Sequence, residues 1–178
     1  MTCRSQGHPG AVTLKMIRQP PFQIAQLGSP DDLRAAAALF EAYAASLEVD
    51  LSYQGFDAEL TGLPGQYAPP AGVLLLARDQ AGMAIGCVAL RPMTQTGCCE
   101  MKRLYVAPSG RGLGLGRALA EAVVEEAARI GYREMRLDTL PTMGAAIGLY
   151  EALGFERIAP YYDTAPAGTI FLGRALTG

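Results

Sequence analysis

The segment "LYVAPSGRGLGLGRALAEAV", Leu104–Val123, limits the possible folds more than any other stretch of this chain. An apolar run of strand character ends at Pro108, Ser109 and Gly110, and glycines at 112, 114 and 116 then lead into a helical repeat. Inside a helix, glycine costs roughly 1 kcal/mol against alanine. A helix entrance loaded with it marks either a tight turn or a place where something lies against bare backbone. Leu115, Ala118, Leu119, Ala122, Val123, Ala127 and Ile130 trace one helical face, and Gly131 supplies the stop. The local unit is therefore strand, glycine-rich turn, amphipathic helix.

The flanking pattern extends this unit to a whole domain. "FQIAQL" (22–27) reads as a strand, and Ser29 and Pro30 open a helix reaching about Leu47, with Leu33, Ala36, Ala37, Phe40, Tyr43 and Ala44 at helical spacing. "FDAELTGL" is a second, shorter helix. "VLLLARD" and "AIGCVALRP" form a hairpin around "QAGM", and "CCEMKRLYV" is the fourth strand. After the long helix come a strand "REMRLDTL", a helix from about Met143 to Leu153 stopped at Gly154, and strands "FERIA" and "GTIFLGRAL". The order β-α-α-β-β-β-α-β-α-β-β predicts one mixed α/β domain, residues 21–178, behind a flexible leader, residues 1–20.

Composition narrows the function. Of 178 residues 50% are hydrophobic and 18% charged, and the net charge is −2. No basic surplus points to nucleic acid or a membrane surface. Cys3, Cys87, Cys98 and Cys99 contain no CxxC, and the one histidine is His8, so no metal site is expected. No apolar run reaches membrane-spanning length, and the expected location is cytoplasmic.

Three phosphate-binding readings compete for the turn. A Walker A loop needs G-K-[ST], which is missing, and both registers of G-x-G-x-x-G fail, at Arg117 and at Leu119. R-x-x-G-x-G fits, through Arg111, Gly114 and Gly116. A turn that follows a strand and opens a helix presents unpaired N–H groups and the positive end of the helix dipole. Arg111 and Arg117 flank it and suit a diphosphate. A plain tight turn with a surface arginine is the competing reading.

"YVAPSGRGLGLGRALAEAVVEEAARIGYREMRLDT" followed by "AAIGLYEALGFE" resembles the GNAT superfamily of acyl-CoA N-acyltransferases, through R-x-x-G-x-G and then L-Y-x-x-x-G-F. The resemblance implies a mostly antiparallel mixed sheet with a splayed parallel strand pair, flanked by helices. It implies acetyl-CoA as co-substrate, without metal. The pyrophosphate would be cradled by Arg111, Gly112, Leu113, Gly114, Leu115, Gly116 and Arg117, and the pantetheine arm would pair with backbone of Leu104, Tyr105 and Val106. Many relatives carry Asn seven residues before the tyrosine of L-Y; here that position is Met143, and the contact is not carried over.

Acetyl transfer to an amine needs the amine neutral, which at pH 7 is a handicap of roughly 4.6 kcal/mol for a pKa near 10.4. A general base and a general acid for the departing thiolate are both useful. Glu100 is the candidate base, eleven residues before Arg111, a spacing at which some family members carry a catalytic glutamate. Strand alternation would place Glu100, Lys102, Leu104 and Val106 on one face. A strand-edge carboxylate paired with Lys102 or Arg103 is the other reading. Tyr150 matches the family tyrosine whose hydroxyl approaches the CoA sulfur; a core tyrosine is its alternative. Asp138 and Thr139 end a strand and either reach the cleft or cap the next helix. Tyr161 and Tyr162 either wall the acceptor pocket or simply pack, and Tyr53 lies where relatives often build the acceptor site.

The expected activity is acetyl transfer from acetyl-CoA to the amine of a small-molecule or amino-acid-like acceptor. The alternatives are a non-catalytic acyl-CoA sensor, or an acetyltransferase acting on a protein or aminoacyl-tRNA. A homodimer is left open.

Overall fold

The computed structural model describes residues 20–47, 50–51 and 55–176. Nearly all of the expected leader and Tyr53 lie outside the described residues. The strands are β1 (Phe22–Gln26), β2 (Val73–Asp79), β3 (Ala84–Pro92), β4 (Cys98–Val106), β5 (Glu134–Thr139), β6 (Glu156–Arg157) and β7 (Ile170–Ala175). The helices are α1 (Pro30–Ala45), α2 (Phe56–Thr61), α3 (Leu115–Ile130) and α4 (Gly144–Ala152). The element order is the one the sequence predicts, with slightly shorter helices and a sixth strand reduced to two residues.

The caps explain several boundaries. The Ser29 hydroxyl accepts from the Asp32 amide at 3.2 Å, and Pro30 takes the first helical position of α1. Gly131 ends α3, its amide donating to Ala127 and Ala128 carbonyls.

One mixed sheet runs β1-β2-β3-β4-β5-β7-β6. Its neighbours are antiparallel except β4 and β5, which are parallel. Leu115, Leu119, Val123 and Ala127 of α3 join Tyr150 and Leu153 in the apolar core of one sheet face. Ala36, Leu39 and Phe40 of α1 pack with Phe56 and Tyr67 on the other.

Two irregularities in β4 create the site. Its pairing with β5 covers only Cys98↔Glu134, Cys99↔Met135 and Glu100↔Arg136, after which the strands diverge. Opposite β3 the register slips between Cys87 and Ala89, leaving Arg103 as an extra residue with φ of 57°. Such a bulge bends the strand and reverses the phase of its side chains. The expected shared face of Glu100, Lys102, Leu104 and Val106 is therefore not formed. Cys99 and Met101 join the α3 core, and so do Leu104 and Val106 beyond the bulge, while Tyr105 packs on the α1 side.

Positive φ is uncommon for a residue with a side chain, and the Arg103 guanidinium is anchored where it lands. It gives Glu59 two hydrogen bonds, at 2.9 and 2.6 Å, and lies 5.3 Å from the centre of the Phe56 ring. The Tyr67 hydroxyl donates to the same carboxylate at 2.8 Å. Burial pushes the Glu59 carboxyl up, but the hydrogen bonds and charge of Arg103 outweigh it and hold it below the usual range.

Candidate active site

The turn between β4 and α3 sits at the open end of the splay. Gly112 and Gly114 have φ of 76° and 74°, so the turn's own path calls for glycine at both. Gly116 differs: it is helical, and an added Cβ would meet Val106 and Leu149 at 3.7 and 3.9 Å, ordinary contact distances. Nothing in the fold itself demands glycine there. Gly114 is the N-cap and offers no side chain, the first turn carries no acidic residue, and the first amide to bond back is Ala118, to the Gly114 carbonyl at 3.1 Å. The amides of Leu115, Gly116 and Arg117 are the orphan donors of a helix start. The Leu115 side chain is buried in the core, so only its backbone can face a ligand. Leu113 is exposed, and Arg117 pairs with Glu121 on the surface at 2.8 Å.

Between the diverging strands lies a slot of about 30 Å³, lined by residues 101–104 of β4, Leu137, Asp138 and Thr139 of β5, Tyr43, Met143 and Tyr150. Tyr105 and Val106 pair with Cys87 and Gly86 of β3, and β5 pairing stops at Glu100, so the Leu104–Val106 backbone has no strand partner on the β5 side. Tyr150 is 7% exposed, its ring edge-on to Phe155 at 5.9 Å. It lines the slot together with Tyr43 and Asp138. Burial, with Tyr43 and Asp138 nearby, pushes the phenol up, so it is neutral and keeps its proton at pH 7.

A larger cavity, about 670 Å³, opens beside the slot and is lined by Gln66, Arg91, Met93, Glu100, Lys102, Tyr161 and Tyr162 among others. Glu100 is 2% exposed. Arg91 Nε donates to its Oε2 at 2.7 Å, and the Tyr161 hydroxyl to its Oε1 at 2.8 Å. The partners of Glu100 are thus Arg91, Tyr161 and, at 3.9 Å, Lys102, but not Arg103. Lys102 Nζ donates to Asp138 Oδ1 at 3.0 Å, and the Tyr162 hydroxyl to Asp138 Oδ2 at 2.9 Å. Tyr161, Tyr162 and Phe171 stack edge to face with ring centres 5.0–5.4 Å apart.

The sequence candidates thus fall into three adjoining regions: residues 111–117 in the turn, Tyr150 in the slot, and Glu100 in the cavity. Arg91 escaped the sequence reading, although it stands directly across from Glu100 in the β3–β4 register. Only a known register could have revealed it. Among the described residues there is no group of three or more His, Cys, Asp or Glu side chains able to hold a metal, and no helix long and apolar enough to cross a membrane.

The site is thus a sheet with one splayed parallel pair, a bare helix start at its mouth and a cavity beside it. The profile of the Acetyltransferase (GNAT) family matches residues 35–155, and the chain belongs to that family. An uncharacterised N-acetyltransferase of Schizosaccharomyces pombe is 39% identical over 88% of this chain and 96% of its own length. Another, YjgM of Escherichia coli, is 32% identical over 63% of this chain and 68% of its own length. Among solved structures, a GNAT-family acetyltransferase from Staphylococcus aureus Mu50 superposes with a TM-score of 0.73, covering 88% of this chain and 99% of that one at 17% identity. That likeness concerns the fold. The chain is an acyltransferase enzyme.

Proposed function

We propose that this enzyme transfers the acetyl group of acetyl-CoA to the amine of a small-molecule or amino-acid-like acceptor. The observation that carries the reading is the contiguity of three spaces: orphan amides at the start of α3, the β4–β5 slot, and the cavity holding Glu100. Gly116 is the test of fit. The fold itself accepts a methyl group there, and in this reading its absence serves a diphosphate lying on the helix start.

In this reading Arg111, Arg117 and the amides of residues 112–117 hold the diphosphate, and the free edge of Leu104–Val106 takes the pantetheine arm. When bound, acetyl-CoA supplies an activated acetyl thioester. Glu100 accepts the proton leaving the acceptor amine, directly or through one water, from a position fixed by Arg91 and Tyr161. Tyr150 holds a proton for the sulfur that leaves. A cavity of about 670 Å³ falls within the size range of small-molecule sites, which favours a compact acceptor over a protein surface.

The experiment has two arms. Acetyl-CoA at a hundred times its dissociation constant stabilises the fold by about 2.7 kcal/mol, read as a thermal shift. A CoA-release assay across amines, amino acids, polyamines and peptides then finds the acceptor class. No shift at millimolar acetyl-CoA with folded protein would remove the donor assignment. Tight binding without turnover across the panel would favour a sensor.

A further inference from the structure

The slot beside Tyr150 and the larger cavity share one lining residue, Lys102. It is 6% exposed and one of only two lysines in the chain, the other thirteen basic residues being arginine. An ammonium carries three donors on a compact point charge. Lys102 gives one to Asp138 at 3.0 Å, while Glu100 at 3.9 Å attracts the charge from beyond hydrogen-bond reach. Among the described residues it makes no other hydrogen bond. Tyr162 steadies Asp138 and Tyr161 steadies Glu100. The cation is therefore fixed at the junction of the two spaces with N–H groups to spare. A purely structural ion pair would not require that location.

We propose that Lys102 is a further catalytic residue, its uncommitted N–H polarising the acyl oxygen of the thioester where the two cavities meet. The inference rests on the acetyl-CoA reading above. In the transfer the acceptor nitrogen bonds to the acyl carbon as the carbon–sulfur bond breaks. The sulfur departs with that electron pair and takes up a proton, and the nitrogen loses one. Negative charge rises on the acyl oxygen and then returns to the carbonyl bond. A donor already in place for that charge needs no reorganisation when it develops. Asp138 acts through Lys102 and is a positioning residue.

The test is isotope-edited infrared spectroscopy of the full chain with acetyl-CoA labelled at the acetyl carbonyl, alongside calorimetric binding. In the wild type the carbonyl stretch moves to lower frequency on binding. Lys102→Met returns it toward the free value, with the dissociation constant changed less than threefold and kcat lowered about a hundredfold. Lys102→Arg keeps part of the shift. Because Lys102→Met takes the ammonium from the buried Asp138 carboxylate, Lys102→Met/Asp138→Asn removes both charges together and, folded by circular dichroism, must likewise lose the shift. A shift retained in either folded variant overturns the role of Lys102 and leaves the acetyl-CoA reading standing. A wild type that gives neither binding heat nor a bound carbonyl band overturns both.

Discussion

The glycine-rich turn and the charged cavity are built on opposite principles. The turn is contiguous, seven residues from Arg111 to Arg117, three of them glycine, that offer mainly backbone. The cavity is assembled from the α2–β2 connection, β3, the turn after it, β4 and the segment before β7, and its side chains hold one another or a neighbour in the slot: Arg91 with Glu100, Lys102 with Asp138. A backbone site is forgiving of neighbouring change but sensitive to any added Cβ or charge. A side-chain network tolerates bulk at its rim but couples its members. The contrast implies different failures, binding in the first region and chemistry in the second.

The sharpest break is Gly114→Asp. It places a side chain at a φ of 74° and a negative charge at the helix start, where the diphosphate is proposed to lie. Acetyl-CoA binding is expected to disappear in calorimetry while the far-ultraviolet circular dichroism stays native. Unchanged affinity would return the turn to a plain loop.

In the slot, Tyr150→Phe keeps the ring and its packing on Phe155 but removes the proton. General acid–base assistance is worth about 10²–10⁴-fold, so turnover falls at least tenfold even with solvent partly replacing the donor, and acetyl-CoA affinity is nearly unchanged. Glu100→Gln gives a different signature. Its rate loss is greatest near neutral pH and shrinks as rising pH deprotonates the amine without help. Steady-state kinetics across pH separates the two, and normal turnover in Tyr150→Phe would leave Tyr150 a packing residue.

Next comes the bulge that separates the two regions. Glu59→Gln removes the carboxylate that takes two hydrogen bonds from the buried Arg103 guanidinium, a change expected to cost about 2 kcal/mol in denaturant unfolding. The native enzyme carries the matching pH signature. Glu59 has a folded pKa below its unfolded value, so its contribution is full above the unfolded pKa and is lost as pH falls through the lower, folded one. In Glu59→Gln that part of the acid dependence vanishes. An unchanged acid limb would mean other carboxylates dominate it.

The same contrast accounts for what the sequence revealed. Periodicity and caps located the elements because Ser29, Pro30, Gly131 and Gly154 act on their near neighbours. The turn was legible for the same reason. The bulge was not: alternation carried Glu100 and Lys102 onto the same face as Leu104 and Val106, because nothing local announces that Arg103 adopts a positive φ. Its partner, Glu59, is 44 residues away. The network of Glu100 with Tyr161, 61 residues distant, and of Lys102 with Asp138, 36 residues distant, likewise appears only once the sheet is ordered. Arg91 is informative solely through its register.

Gly116→Ala produces the smallest effect and draws the comparison most finely. The position is helical, so alanine is the better helix former, and near the first turn the gain is at most about 1 kcal/mol. The new methyl group meets Val106 and Leu149 at ordinary distances, so packing does not oppose it. If the turn were only a turn, the variant would be slightly more stable and otherwise normal. If a diphosphate lies on these amides, the methyl group stands in its way. The expected outcome is an unliganded midpoint equal to or above that of the wild type, with acetyl-CoA binding weakened about tenfold, or roughly 1.4 kcal/mol. Thermal denaturation with and without acetyl-CoA reads both quantities in one titration. A variant that gains stability and keeps full affinity would show that the diphosphate, if bound at all, lies elsewhere along the turn.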